Sequence, residues 1–81
     1  MFTVYVLYAP IFDKIYIGFT SDLQNRVKAH NEFATKGWTV KFRPWTVIYT
    51  EEFTDKSVAL KREKSLKSAQ GRTFIRNLIN S

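Results

Sequence analysis

The sequence predicts an α+β fold: a three-stranded antiparallel β-sheet flanked by helices, in the order β-β-α-β-α-α. Three observations predict it. Two apolar segments near the N-terminus alternate with a period of two and are separated by a short connection, as in a hairpin. Two later segments open with helix-capping residues and carry apolar side chains at helical spacing. The strands are apolar on both faces, so the sheet requires cover on both sides.

The elements follow in order. "FTVYVLY" (2–8) places Phe2, Val4, Val6 and Tyr8 on one face and Thr3, Tyr5 and Leu7 on the other. "APIFDK" is short enough to turn antiparallel into a second strand over 15–20. There Ile15, Ile17 and Phe19 alternate with Tyr16, Gly18 and Thr20. Ser21 with Gln24 three residues on forms a capping box for a helix reaching about Phe33. Residues 34–44, with Gly37 and Pro44, read as a loop, and "WTVIYTE" (45–51) as the third strand. Thr54 is expected to cap a second helix running to about Ala69, with Phe53 and Val58 as its hydrophobic staple. Gly71 is expected to break it, leaving a short closing helix with Phe74, Ile75, Leu78 and Ile79 inward.

With 81 residues, the expectation is one domain over 1–81, and 44% hydrophobic and 16% aromatic residues exclude a disordered composition. No cysteine is present, which excludes disulfides and thiolate chemistry and agrees with a cytoplasmic setting. No apolar run approaches the roughly 20 residues of a membrane span, and no leader is visible, so no membrane partner is expected. The charge is lopsided. Basic and acidic groups balance up to Asp55, whereas Lys56, Lys61, Arg62, Lys64, Lys67, Arg72 and Arg76 face Glu63 alone, giving the net +6. Such a field draws in polyanions; alone, it is equally a solvated helix face.

Several polar side chains fall where apolar ones belong. At about 100° per residue, His30 shares the stripe of Leu23 and Val27, with Arg26 on its shoulder. In the second helix Glu63 points with Ala59, Leu60 and Leu66. A buried carboxylate is costly unless a cation meets it. That cation is Arg26, Lys67 at i+4, or a metal ion. Tyr5 and Tyr16 lie on adjacent strands opposite the most apolar faces, and Gly18, on the face of Tyr16, leaves space beside a phenol for a substrate backbone. The plainer alternatives are a satisfied core histidine, a surface Glu63–Lys67 pair and two solvated tyrosines.

These five residues, in this order, resemble those of the GIY-YIG nucleases, and the resemblance covers nearly the whole chain. Tyr16-Ile17-Gly18 keeps the second half of the name motif, whereas Thr3-Val4-Tyr5 keeps only the tyrosine of the first. "TSDLQNRVKAHN" resembles the stretch supplying the family's arginine and histidine, here Arg26 and His30. "ALKREKSLK" resembles the segment with the metal-binding glutamate, here Glu63. Asn77 is the nearest counterpart of a late asparagine, at a poorly matching spacing. In length the chain is most similar to small stand-alone bacterial members.

The resemblance implies metal-dependent endonuclease activity on DNA phosphodiester bonds with low sequence specificity. It implies Tyr5, Tyr16, Arg26, His30 and Glu63 as the catalytic set, with one Mg²⁺ or Mn²⁺ ion on Glu63. DNA, structured or damaged, would be the substrate of a monomer, with specificity left to a partner protein. Substrate grip is expected from Lys41, Arg43, Lys61, Lys64, Lys67 and Arg72, with Trp38 or Trp45 to stack on a base. The rival readings are a nucleic-acid-binding domain that does not cut, and a basic protein-interaction module.

Overall fold

The computed structural model describes residues 1–33 and 37–81; the Ala34–Lys36 part of the expected loop lies outside them. The chain forms β1 (Phe2–Ala9), β2 (Lys14–Thr20) and α1 (Leu23–Lys28), which widens into a π-helical stretch over Ala29–Phe33. A 3₁₀ turn (Trp38–Phe42) leads to β3 (Thr46–Phe53), α2 (Lys56–Leu66) and α3 (Ala69–Asn80). The order β-β-α-β-α-α is the expected one. The first strand takes the centre of the sheet, in the order β2-β1-β3, and is antiparallel to both neighbours.

Register decides which residues share a face. Tyr5 lies opposite Gly18 and Leu7 opposite Tyr16, while Val4 pairs with Phe19 and Val6 with Ile17. One face of the sheet therefore presents Val4, Val6 and Ile17, which pack with Ala59 and Leu66 of α2 and Ile75 of α3. The other presents Tyr5, Leu7 and Ala9, packed with Trp45 and flanked by Tyr16, Leu23, Val27, Phe42 and Val47. The two-sided cover demanded by the apolar strands is supplied by α2 and α3 beneath and by α1 with its following turn above.

Two polar ties fix the outer elements. At the hairpin tip Asp13, at φ 53°, accepts hydrogen bonds from Tyr8 at 2.8 Å and from Arg76 of α3 at 2.6 Å. Glu51 of β3 accepts from Tyr49 at 2.6 Å and from Arg62 of α2 at 3.0 Å.

Several local expectations are corrected. Asp22 caps α1 by accepting from the Asn25 amide, and Asp55 caps α2 by accepting from Ser57. In both places a carboxylate one residue beyond the expected hydroxyl takes the cap, because its full charge suits the positive helix end. The staple of Phe53 and Val58 goes with the displaced cap; Val58 is 44% exposed. Gly71 does not break a helix. It lies buried in the first turn of α3, which Ser68 caps, where a Cβ would stand 2.4 Å from the Leu66 backbone. Glycine here permits the close approach of α3 to the end of α2. Of the apolar residues expected inward along α3, Ile75 is fully buried, whereas Phe74 and Leu78 are 39% and 37% exposed. Leu60, expected inward with Glu63, is likewise exposed.

Candidate active site

The candidate site begins at Tyr5, in the middle of the central strand and 1% exposed. Its hydroxyl lies 3.1 Å from Nε2 of His30. The histidine Nδ1 lies 3.0 Å from the Thr39 hydroxyl. His30 and Thr39 are both buried, at 8% exposure. The three side chains form one chain of hydrogen bonds: a neutral imidazole accepts at one nitrogen and donates at the other. Burial, with the charges of Arg26 and Arg43, depresses the His30 pKa, so the ring is neutral at pH 7. Burial pushes the Tyr5 phenol well above its ordinary value; the nearby Tyr16 and Glu63 add to the rise and Arg26 opposes it.

Local structure holds this relay in place. Arg43 braces the start of the π-helical stretch: its Nε donates to the His30 carbonyl and its Nη2 to that of Ala29. Asn31 grips the start of β3 from the same stretch. It accepts from the Trp45 amide at 2.7 Å and donates to the Trp45 carbonyl at 3.0 Å. The Trp45 indole in turn donates to the Thr39 carbonyl at 2.7 Å. Thr39 and Asn31 were not read from the sequence. A threonine nine residues past a histidine, across an irregular loop, carries no periodic signal.

Tyr16 completes the aromatic floor. Its ring centroid lies 4.7 Å from that of His30 and 6.2 Å from that of Tyr5. The space over Gly18 proves to be filled. A Cβ there would stand 2.6 Å from the Tyr5 hydroxyl and 3.1 Å from the Tyr16 ring. The expected substrate gap is therefore the berth of the Tyr5 phenol, and glycine is required because that phenol lies across β2.

Arg26 and Glu63 stand around this core. Arg26 is exposed on α1, and its charge reaches both Tyr5 and His30. Glu63 projects from α2 with its side chain 19% exposed, and its only ion pair among the described residues is a long one, 3.9 Å to Lys67. The charge of Glu63 also reaches Tyr5. Because α1 and α2 cover opposite faces, their groups can meet only past an edge, and the Tyr5 phenol lies over Gly18 of the edge strand β2. A cleft of about 180 Å³ runs along that edge, lined by Ile15, Tyr16 and Ile17 with Lys67 and Arg72. Of the expected substrate-gripping cations, Lys67 and Arg72 thus lie beside the site. Lys41, Lys61 and Lys64 are exposed, and Arg43 serves the backbone. Asn77 is exposed on α3.

The arrangement joins a neutral proton relay, a cation and a carboxylate at an open sheet edge, a set suited to activating water beside a phosphate. Comparison with known proteins identifies the chain's relatives. The chain is 32% identical over 56 residues to a UPF0213 protein of Staphylococcus haemolyticus, spanning 69% of this chain and 68% of that one. It is 48% identical over 59 residues to a UPF0213 protein of Lactiplantibacillus plantarum, spanning 65% of this chain and about half, 54%, of that one. Among solved structures, that of a UPF0213 protein from Bacillus halodurans superposes with a TM-score of 0.57 at 26% identity, covering 96% of this chain and 85% of the other. The family model described as the GIY-YIG catalytic domain matches residues 1–77. A family match over nearly every residue, on a chain with the expected order of strands and helices, leads to one conclusion: the chain belongs to the GIY-YIG nuclease superfamily.

Proposed function

We propose that residues 1–81 form a single catalytic domain that hydrolyses DNA phosphodiester bonds, as a divalent-metal-dependent endonuclease of low sequence specificity. The observation that carries this reading is the Tyr5–His30–Thr39 relay, buried and neutral, with Arg26 and Glu63 beside it. At pH 7 a phenol of raised pKa is too weakly acidic to serve as a preformed base. It works instead as a conduit. The Tyr5 oxygen accepts a proton from the attacking water while its own proton passes to Nε2 of His30, and Nδ1–H of His30 donates to Thr39. Arg26 neutralises charge gathering on the phosphoryl oxygens, for which a planar guanidinium is well shaped. Tyr16 holds the phosphate against the relay.

The donor set fits one hard cation. Glu63 is a partly buried carboxylate with spare acceptor capacity, and no group of three metal-ligating side chains exists among the described residues. One carboxylate suits an ion such as Mg²⁺ or Mn²⁺ that keeps several waters. When bound, the ion supplies Lewis-acid polarisation of the phosphate and stabilises the leaving oxygen. Lys67 and Arg72 line the substrate's path along β2. The domain acts as a monomer in the cytoplasm, with a partner protein supplying any sequence choice.

A second reading, a nucleic-acid binder that does not cut, is favoured by the Glu63–Lys67 pair, which would then be the carboxylate's whole role. Glu63→Gln separates the two. Nicking of supercoiled DNA in Mg²⁺ or Mn²⁺ should fall by about 100-fold or more, with thermal stability and DNA retention unchanged. A variant that nicks normally, or that unfolds, removes the metal role from Glu63.

A further inference from the structure

The aromatic floor of the site does not stop at Tyr16. Tyr16 meets Trp45 at a centroid distance of 6.4 Å, Trp45 meets Trp38 at 5.8 Å, Trp38 meets Phe42 at 4.8 Å, and Phe42 meets Phe12 at 5.5 Å. The series starts beside the Tyr5–His30 relay and ends at the surface, where Trp38 is 47% and Phe12 45% exposed. Lys14 holds its ammonium 5.4 Å from the Phe42 centroid.

Trp45 is accounted for as core, with its indole bonded to Thr39. Trp38 and Phe12 are not. Each leaves nearly half its surface in water, and they belong to one ring series with a cation over its middle. An apolar protein partner has no use for that ammonium. Unpaired bases linked by phosphates use both parts, since rings stack on bases and the ammonium meets the backbone. A base inside a duplex has both faces covered by its neighbours and cannot use such a surface.

We propose that Trp38, Phe42 and Phe12, with Lys14, are a stacking platform for unpaired bases, and that the strand the domain cuts is single-stranded DNA. The proposal rests on the nuclease reading and supplies its substrate class. The strand lies with bases on the platform and its backbone running past Tyr16 to the relay. Trp38, on the exposed side of Trp45, offers the broadest surface.

Binding in EDTA tests the platform apart from cutting. Fluorescence anisotropy of a labelled 16-nucleotide strand, and of the same sequence as a duplex, gives both affinities. The unmodified protein is expected to prefer the single strand by about 10-fold, and Trp38→Ala and Phe12→Ala each to weaken that binding by about 5- to 100-fold. Duplex affinity should change by less than about 2-fold, since phosphate contacts carry it. Phe12 sits in the hairpin loop and, among the described residues, its ring stacks with that of Phe42 alone, so Phe12→Ala decides the matter if Trp38→Ala disturbs the fold. Equal affinity for strand and duplex, or single-strand binding unchanged in a folded Phe12→Ala variant, overturns the platform. Absence of cleavage with platform binding as expected strikes the nuclease reading alone.

Discussion

His30 illustrates how one residue can satisfy a structural and a chemical demand at once. As a core residue it needs partners for both ring nitrogens, and Tyr5 and Thr39 provide them. As a proton acceptor it must be neutral at working pH, and burial with Arg26 and Arg43 ensures that. The sign of the pH effect follows. In the unfolded chain the imidazole takes up a proton near its ordinary pKa of about 6.5, while in the fold it resists until lower pH. Below about pH 6.5 the unfolded state therefore binds more protons, and stability is lost as pH falls toward the depressed folded value. Urea denaturation at pH 7.5 and 5.5 should show this loss in the native chain and a smaller one in His30→Gln. An equal loss in both would remove the histidine from the account. Nicking should decline at lower pH than the onset of this loss, where the folded ring itself takes up a proton and can no longer accept from Tyr5.

Among the elements, α3 depends on a missing side chain. Gly71→Ala would drive a Cβ into the Leu66 backbone at 2.4 Å, a contact no rotamer change relieves. The helix must shift away from the end of α2, loosening Leu66 and Ile75, both fully buried. A loss of about 1–3 kcal/mol is expected, measured by denaturant midpoint at constant slope; an unchanged midpoint would mean that α3 is free to move. This glycine also marks where the sequence stopped being readable. Alternation in residues 2–20 and helical spacing after Asp55 revealed the order of elements and the faces they bury, because periodicity encodes direction. It does not encode distance. Gly71 read as a breaker and Gly18 as a hollow, whereas both admit a close neighbour: a helix backbone in one case, a phenol in the other. The caps slipped by one residue for a related reason. Ser21–Asp22 and Thr54–Asp55 each offer two adequate acceptors, and only the final path of the chain selects between them. Of the candidate site, Tyr5, Tyr16, His30 and Glu63 are legible as polar residues at apolar positions, and Arg26 as their neighbour on the shoulder of that stripe. Thr39, Asn31 and the backbone duty of Arg43 belong to an irregular segment, where no repeat relates sequence to direction.

For the whole molecule, the charge asymmetry acquires a location. The excess positive charge resides in α2, α3 and the turn joining them, and two of its members, Lys67 and Arg72, flank the cleft at β2. Not every cation is available to a substrate: Arg62 and Arg76 are paired with Glu51 and Asp13, and Arg43 holds the π-helical turn. Of the cations after Asp55, Lys56, Lys61, Lys64, Lys67 and Arg72 then remain for phosphates, which sets a slope of about −3.5 for log affinity against log salt on a single strand. Titration between low and moderate salt checks it. A slope near zero would assign the grip to rings alone, and a much steeper one would enlist the paired arginines.

The central place of β1 bears on the order in which the sheet can be completed during synthesis. β1 leaves the ribosome ahead of both its partners and can pair with β2 along one side as soon as that emerges, but its other side belongs to residues 46–53. Until these emerge, the nascent hairpin carries an open row of amides and carbonyls next to its most apolar residues, a state prone to pairing with another chain. The segment spelled between the two partners of β1, which includes Arg26 and His30, is thus also an interval of delay, and a long insertion within it would extend the time that the hairpin waits.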